Sequence, residues 1–384
     1  MISFKFGIAL LLFTFFVWEQ RKLKDCLEIN SGRDYKHLHS GNIPVFGTGG
    51  YMLSVDEALS YKNAIGIGRK GTIDKPQLLI APFWTVDTLF FLTPENDTDL
   101  YFLFSFFQKV NWKKYDESTG LPSLSKKTIS TIKIKTPSKN EQIKIGTLIQ
   151  KVNNLISLQQ RKLELLKLFK IGMLQNILAD TKAASKLKFK GSNQEWRPRR
   201  LNSITNIITK GTTPHFKQAS NGVNFIKIED ISKDNGKIYP RSFITEKENN
   251  GYLKRSQLKA GDLLFSIAGT LGRVGKVTDD ILPANTNQAL AIIRLKPSQN
   301  IDFCKIMLES DSVKRYIHAN PTMGAQPNLS LKQISDLTLF FPDIKEQTLI
   351  SQLIKKIDNL LALQYQNISK FKQLKQFLLQ NIFI

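Results

Sequence analysis

The chain has 384 residues, with 55 Lys and Arg against 32 Asp and Glu, a formal net charge of +23 and an isoelectric point near 9.8. Such a surplus calls for a polyanionic partner, nucleic acid or an acidic membrane surface, and the length allows two or three domains with cores of their own. Its two cysteines, Cys26 and Cys304, lie far apart, which excludes a disulfide framework or a cysteine metal site and suits a reducing cytoplasm.

In residues 1–17, Lys5 precedes an apolar run that continues from Ile8 to Trp18, in the manner of a signal peptide. The run is too short to cross a bilayer as a helix, and no small-x-small cleavage site follows it. We read it as an atypical segment from a mistranslated or frame-shifted start; a signal or anchor, and a buried strand or helix, are the alternatives. Residues 18–140 then mix β-branched and aromatic runs with Gly, Asn and Pro turns, the pattern of a compact strand-rich α/β domain. Within it, GIGRKGTI (66–73) sets Arg69 between glycines. Such a turn lets the backbone approach a phosphate, and the arginine adds a fork for phosphate or for the O6/N7 edge of guanine. An ordinary basic hairpin turn is the plainer alternative.

From Glu141 to about Ala179 there is no proline, and apolar residues recur at helical spacing; residues 141–185 are read as a long helix. Heptads place Ile145, Leu148, Val152, Leu155, Gln159, Lys162, Leu166, Phe169, Met173 and Asn176 at the seam. A linker and a second strand-rich domain follow over residues 186–342, with runs such as VNFIKIEDI (223–231), DLLFSIAG (262–269) and ALAIIRL (289–295). GTLGRVGKV (269–277) gives this domain its own glycine-flanked Arg273. Residues 343–384 form a second long helix, whose seam reads Ile350, Leu353, Ile357, Leu360, Gln364, Asn367, Phe371, Leu374, Leu378 and Asn381. A 3.5-residue period held this long predicts a coiled coil. If the helices pair antiparallel, Gln159 and Lys162 meet Gln364 and Asn367 in a central polar layer that fixes register. The alternative is a drifting frame that leaves these side chains solvated.

The chain repeats itself. Pro122 and Pro327 lie 205 residues apart, and the same shift matches Ser125 with Ser330, Pro137 with Pro342, Glu141-Gln142 with Glu346-Gln347, and LQNI (174–177) with LQNI (379–382). WEQRKL (18–23) faces WRPRRL (196–201) at a shorter offset of 178, so the insertions lie in the first half of each copy. A period of this size means duplicated domains, not a solenoid of ~20–50-residue units.

No catalytic motif survives inspection. Gly275-Lys276 is followed by Val277, so no P-loop forms. NPTM (320–323) lacks the second proline and the aromatic of an adenine methyltransferase loop. PDIKEQ (342–347) has PSKNEQ (137–142) as its repeat partner, so Asp343 and Glu346 read as helix-entry residues and not as metal ligands. His37, His39, His215 and His318 show no HExxH spacing, and no serine sits in a G-x-S-x-G elbow.

SGRDYKHLHSGNIPVFGTGGYM (31–52), IGRKGTIDKP (67–76), FWTVDTLFF (83–91), FIKIEDIS (225–232), LLFSIAGTLGRVGKV (263–277) and ANTNQALAIIRL (284–295) resemble target-recognition domains of type I restriction-modification specificity subunits. The two helices that open on Glu-Gln resemble the family's spacers. The resemblance implies an α+β fold, with two strand-rich α/β target-recognition domains separated by two long helices that form an antiparallel coiled coil. It implies a non-catalytic cytoplasmic subunit that reads a bipartite site in double-stranded DNA. Two modification (methyltransferase) subunits and restriction/motor subunits would be its partners, with methyl donor, ATP and Mg on those partners and no membrane. Candidate DNA contacts are Arg69, Lys70, Thr72 and Lys75 in the first copy, and Arg273, Lys276, Asn285, Asn287 and Gln288 in the second. The rival classes are a standalone nuclease or methyltransferase, which would bind a metal or methyl donor by itself, and a membrane-attached scaffold, which would pellet with membranes.

Overall fold

The computed structural model describes residues 18–178, 195–215, 221–320 and 327–383. The expectations for residues 1–17, and for a helix continuing from 179 to 185, lie outside the described residues. The chain divides into two compact units, one of Met1–Arg161 with Tyr365–Ile384 and the other of Lys162–Gln364.

The first unit is built on three sheets. Strands β1 (Glu19–Lys22), β2 (Leu27–Ser31), β3 (Ser40–Gly47), β4 (Gly50–Val55), β5 (Ala64–Gly68), β6 (Gln77–Leu79), β7 (Trp84–Thr85) and β8 (Leu89–Pro94) precede helices α1 (Leu100–Lys109) and α2 (Lys126–Thr131), strand β9 (Lys133–Thr136) and the long helix α3 (Lys139–Ile177). Strands run in the order β2-β8-β5-β6 in an antiparallel sheet, β4-β3-β7 in a second, with β3 and β7 parallel, and β1-β9 in a third. All five residues of β5, AIGIG, are buried, so it reads as a continuous apolar run without alternation, as expected of a strand covered on both faces. Asp99 caps α1 by accepting from the Phe102 backbone N–H at 2.8 Å. Helical spacing then buries Phe102, Leu103 and Phe107. These side chains join Ile145 and Ile149 of α3 in one core.

The second unit repeats this plan. It contains β10 (Arg197–Arg200), α4 (Leu201–Ile204), β11 (Thr205–Lys210), β12 (Val223–Ile226), β13 (Phe243–Ile244), α5 (Glu246–Asn250), β14 (Leu263–Ser266), β15 (Val274–Lys276), β16 (Ala284–Thr286) and β17 (Leu290–Leu295). After these come α6 (Ile301–Leu308), α7 (Asp311–Ala319), α8 (Leu331–Ser335), β18 (Thr338–Phe341) and α9 (Ile344–Ile382). Its sheets, β11-β17-β14-β15, β13-β12-β16 and β10-β18, match those of the first unit strand for strand, including the parallel pair β12 and β16. Arg294 of β17 clamps Asp262 with two bonds of 2.7 Å, a bidentate pair that fixes the entry to β14.

Helices α3 and α9 each run 39 residues. Asp343 opens α9 by accepting from the Glu346 N–H at 2.9 Å, the entry role expected of it. In the first unit the end of α9 joins the start of α3: Leu379 and Phe383 share the core of Ile145 and Ile149. In the second unit Lys170, late in α3, pairs with Asp358, early in α9, at 2.6 Å. The two helices therefore form an antiparallel coiled coil. Its seam differs from the predicted frame. Along the seam, the buried residues of α3 include Ile145, Ile149, Val152, Leu163 and Ile177, and those of α9 include Ile350, Ile354, Ile357, Leu361, Gln364, Ile368 and Leu379. Every second predicted position is thus displaced by one residue. Lys162 is exposed and Leu163 takes its place, while Asn367 is half-buried beside the buried Ile368. A seam alternates steps of three and four residues. Starting on the wrong step keeps Gln159 and Gln364 at the seam but moves Lys162 and Asn367 off it. Of the four predicted polar positions, Gln364 is buried and Gln159 half-buried, each along the seam of its own helix.

Candidate nucleic-acid interface

At one end of the first unit, the connection from β5 to β6 carries Arg69, Lys70, Thr72 and Lys75. Arg69 is fixed by its backbone: its N–H donates to Thr88 O at 2.7 Å, and its carbonyl accepts from Leu124 N–H at 2.9 Å. Its exposed guanidinium lies 5.9 Å from the centre of the Phe90 ring, a cation–π distance that still leaves N–H donors for an outside acceptor. Lys70 and Lys75 are exposed and Thr72 is half-exposed. The turn depends on Gly71, whose φ of 90° lies where side chains with a Cβ are strained. Gln77 Nε2 donates to Gly47 O at 2.9 Å and Thr48 O at 3.2 Å, which ties the Thr48-Gly49-Gly50 turn beside this connection. Tyr51, next in the chain, is 63% exposed. Arg33 belongs to the same group of turns, with its N–H on Thr85 O at 2.8 Å and its side chain exposed.

In the second unit the candidates divide. Arg273 turns inward: Nη1 donates to Ile228 O at 2.8 Å and Ile231 O at 3.2 Å. Lys276 is paired with Asp302 at 2.5 Å. Asn285 is fully buried, and its amide donates to Asn249 Oδ1 and Leu253 O, each at 3.0 Å. Arg273 and Asn285 hold the domain together by these bonds, while Lys276, one-third exposed, is engaged by Asp302 at the surface. Asn287 and Gln288 do lie at the surface, on the turn between β16 and β17. The Asn287 side chain accepts from Ala289 N–H, and Gln288 Oε1 accepts from Thr213 Oγ1 at 2.6 Å.

The two Gly-Arg turns also prove to be non-equivalent. Leu124 N–H donates to Arg69 O, and Leu329 N–H, one repeat later, donates to Ile267 O, so Ile267 is the counterpart of Arg69. Arg69 leaves a central strand, whereas Arg273 enters the neighbouring one. What the second unit presents instead was not singled out from the sequence: Thr212, Thr213, His215, Tyr252 and Arg255. Arg255 donates to Thr212 Oγ1 from Nε at 3.3 Å and from Nη2 at 3.0 Å. His215 stacks on Tyr252 with ring centres 3.7 Å apart. A signal for this segment existed. Gly32 and Gly211, 179 residues apart, both press against strand carbonyls where a Cβ would clash, Gly32 on Thr85 and Val86 and Gly211 on Thr286 and Asn287. The offset of 179 that joins these glycines, one more than that of the opening repeat, leads from Arg33 to Thr212.

Asp230 is buried between the two carbonyls that receive Arg273, and its desolvation pushes its pKa up. Burial likewise raises the thiols of Cys26 to about 11 and Cys304 to about 12, so both are protonated at neutral pH. Among the described residues, no group of three or more His, Cys, Asp or Glu side chains has a metal-holding arrangement, and no helix is long and apolar enough to cross a membrane.

A family model described as "Type I restriction modification DNA specificity domain" matches residues 17–168 and 193–373. The chain is similar to the type I restriction enzyme MjaVIII specificity subunit of Methanocaldococcus jannaschii, at 25% identity over 291 residues, 72% of this chain and 68% of that one. It is also similar to the type I restriction enzyme EcoBI specificity subunit of Escherichia coli, at 26% identity over 175 residues, 44% of this chain and 35% of the relative. In fold it is similar to the crystal structure of the type I restriction-modification S subunit from M. genitalium, with a TM-score of 0.67, 15% identity, and 97% of this chain and 98% of that one covered. A structure from work on complex assembly and conformational transition of the type I R-M system gives a TM-score of 0.59 at 14% identity, over 96% of this chain and 98% of that one.

Proposed function

The chain belongs to the type I restriction modification DNA specificity family, and from that membership we propose that it directs a type I complex to a bipartite site in double-stranded DNA, one half read by each unit. It is a non-catalytic subunit; methylation and restriction are carried out by its partners, and methyl donor, ATP and Mg bind there. The observation that carries the bipartite reading is the duplicated domain, two units with the same three sheets in the same strand order within a chain of charge +23. Two copies of a reader give two separate half-sites, and a surplus of cations supplies the sequence-independent attraction to phosphate.

In the first unit Arg69, Lys70, Thr72 and Lys75, joined by Arg33, contact the DNA. In the second, Asn287 and Gln288 do so, joined by Thr213 and Arg255; Arg273, Lys276 and Asn285 support the fold behind them. The long helices also carry apolar residues away from the seam. Leu155 and Leu158 are 40% and 61% exposed, and their counterparts 205 residues later, Leu360 and Leu363, are 51% and 52% exposed. Exposed leucines in a repeated pattern support two docking positions, one for each of two modification subunits. Two buried, protonated thiols fit a reducing cytoplasm.

The test is to replace residues 196–340 with the corresponding domain of a relative that has another target, and to map methylated adenines in cells that also carry the modification subunit. One half of the motif should change and the other stay. A swap that rewrites both halves, or neither, contradicts independent readers.

A further inference from the structure

On the first unit a cavity of about 410 Å³ lies between the C-terminal end of α1, the turn after it, strand β9 and Phe383. Lys109, Lys114, Lys133 and Lys135 stand around it, and no carboxylate side chain is among the described residues that line it. None of these four lysines forms an ion pair among the described residues. The arrangement follows from β9: Lys133 and Lys135 are exposed while Ile134 and Thr136 are buried, which puts two ammonium groups on one face of the strand. The walls include Trp18 and Tyr115. Tyr115 is 37% exposed and leans on Trp112 with ring centres 6.3 Å apart, so part of its ring is open to a visitor.

The second unit keeps the fold with a different set of charges, its cations Lys170 and Lys314 being paired with Asp358 and Asp311. At the places of Lys133 and Lys135, strand β18 carries Thr338 and Phe340, and Ser310 follows α6 where Lys109 ends α1. The cluster is therefore particular to one unit and is not demanded by the architecture. A volume of this size falls within the ~300–1,000 Å³ range of small-molecule sites. Ammonium groups match phosphate oxygens as point charges, and an exposed aromatic ring takes a nucleobase by stacking.

We propose that this cavity binds a free nucleoside polyphosphate, with its base against Tyr115 and Trp18 and its phosphates among Lys109, Lys133 and Lys135. The site lies apart from the turns assigned to DNA reading, and the cavity at the equivalent place in the second unit, about 350 Å³, sets Lys314 and Arg315 beside the carboxylates of Glu309 and Asp311 and offers no aromatic wall.

The test uses the full-length chain at moderate salt, titrated with ATP, adenosine, inorganic tripolyphosphate and a single-stranded twelve-nucleotide DNA, followed by calorimetry and by tryptophan fluorescence. ATP should bind, with adenosine and tripolyphosphate each at least tenfold weaker. Lys133→Ala/Lys135→Ala should weaken ATP at least tenfold, and so should Lys109→Ala/Lys114→Ala, each with an unchanged unfolding midpoint. Lys126→Ala/Lys127→Ala, which removes the same charge from the exposed face of α2, should leave ATP affinity as it was. Tripolyphosphate binding as tightly as ATP would reduce the site to a cationic patch and overturn the proposal. The DNA strand outcompeting ATP at equal phosphate concentration would make it part of a nucleic-acid track and also overturn it. Lack of ATP binding, or equal binding by all variants, overturns it directly. Because none of these readouts involves the methylated motif, failure here leaves the DNA-reading assignment where it stands.

Discussion

Arg69 is held in place by its backbone, and its guanidinium is left over for solvent or ligand. Arg69→Ala should therefore preserve the unfolding midpoint, weaken DNA binding by the assembled complex, and lower the slope of log affinity against log salt by about one if the lost contact is to phosphate. Arg273→Ala should act through stability instead. Removing a charged donor from two backbone carbonyls costs ~1.5–3 kcal/mol and should appear as a lower midpoint of thermal unfolding; an unchanged midpoint would return Arg273 to the interface. The sequence shows both arginines in nearly the same words, glycine before and a glycine within two residues after. What separates them is whether the residue leaves one strand or enters the next, and that depends on where the insertions between the copies fall. The polarity of Asn285, Asn287 and Gln288 was legible, but not that the first of these is buried in a network with Asn249.

At the scale of the element, Leu163 and Lys162 are adjacent in the chain and opposite in environment. Leu163→Asp should destabilise the coiled coil by ~2–5 kcal/mol, the range for disrupting a packed apolar site, whereas Lys162→Asp should stay within ~0.5 kcal/mol, both measured by thermal melting of helical circular dichroism. Equal effects would mean that the seam runs elsewhere. Lys375 supplies a further test. It is the repeat counterpart of Lys170, which has Asp358, but the place matching Asp358 in the first copy holds Asn153. Burial lowers the pKa of Lys375, so the folded state holds its proton less tightly than the unfolded chain. That penalty is absent above the unfolded pKa and grows as pH falls through the range between the two values, so it is present at neutral pH. Asn153→Asp should raise the unfolding midpoint at pH 7 by copying the Lys170–Asp358 pair, and the gain should disappear near pH 3 as the carboxylate is protonated. Helix existence and length were plain from the lack of proline and the apolar period. The seam phase was not, because Leu148 and Ile149, or Leu155 and Ile156, are all apolar, and hydrophobicity alone does not choose between neighbours when both qualify.

For the whole molecule, the duplication was readable to the strand because both copies kept their turn residues and helix entries. The contents of the reading faces were not, since a base contact needs a side chain's direction as well as its identity. Inserting seven residues into both α3 and α9 keeps their seams in phase and adds ~10.5 Å of helix at ~1.5 Å per residue, about three base pairs at ~3.4 Å. The methylated motif should keep both half-sites while the unread gap widens by two or three base pairs. A stable, active insertion mutant with the original gap would show that the partner subunits set the spacing. The first unit draws part of its core from the far end of the chain: Leu379 and Phe383 pack among Phe102, Phe106, Ile145 and Ile149. During synthesis that core stays open until Leu379 and Phe383 have been made, more than two hundred residues after the unit's strands. A stop placed just before Leu379 would thus strike the earlier-made unit and spare the later one. Selection for the first half-site accordingly falls on the final helix as well as on the opening strands.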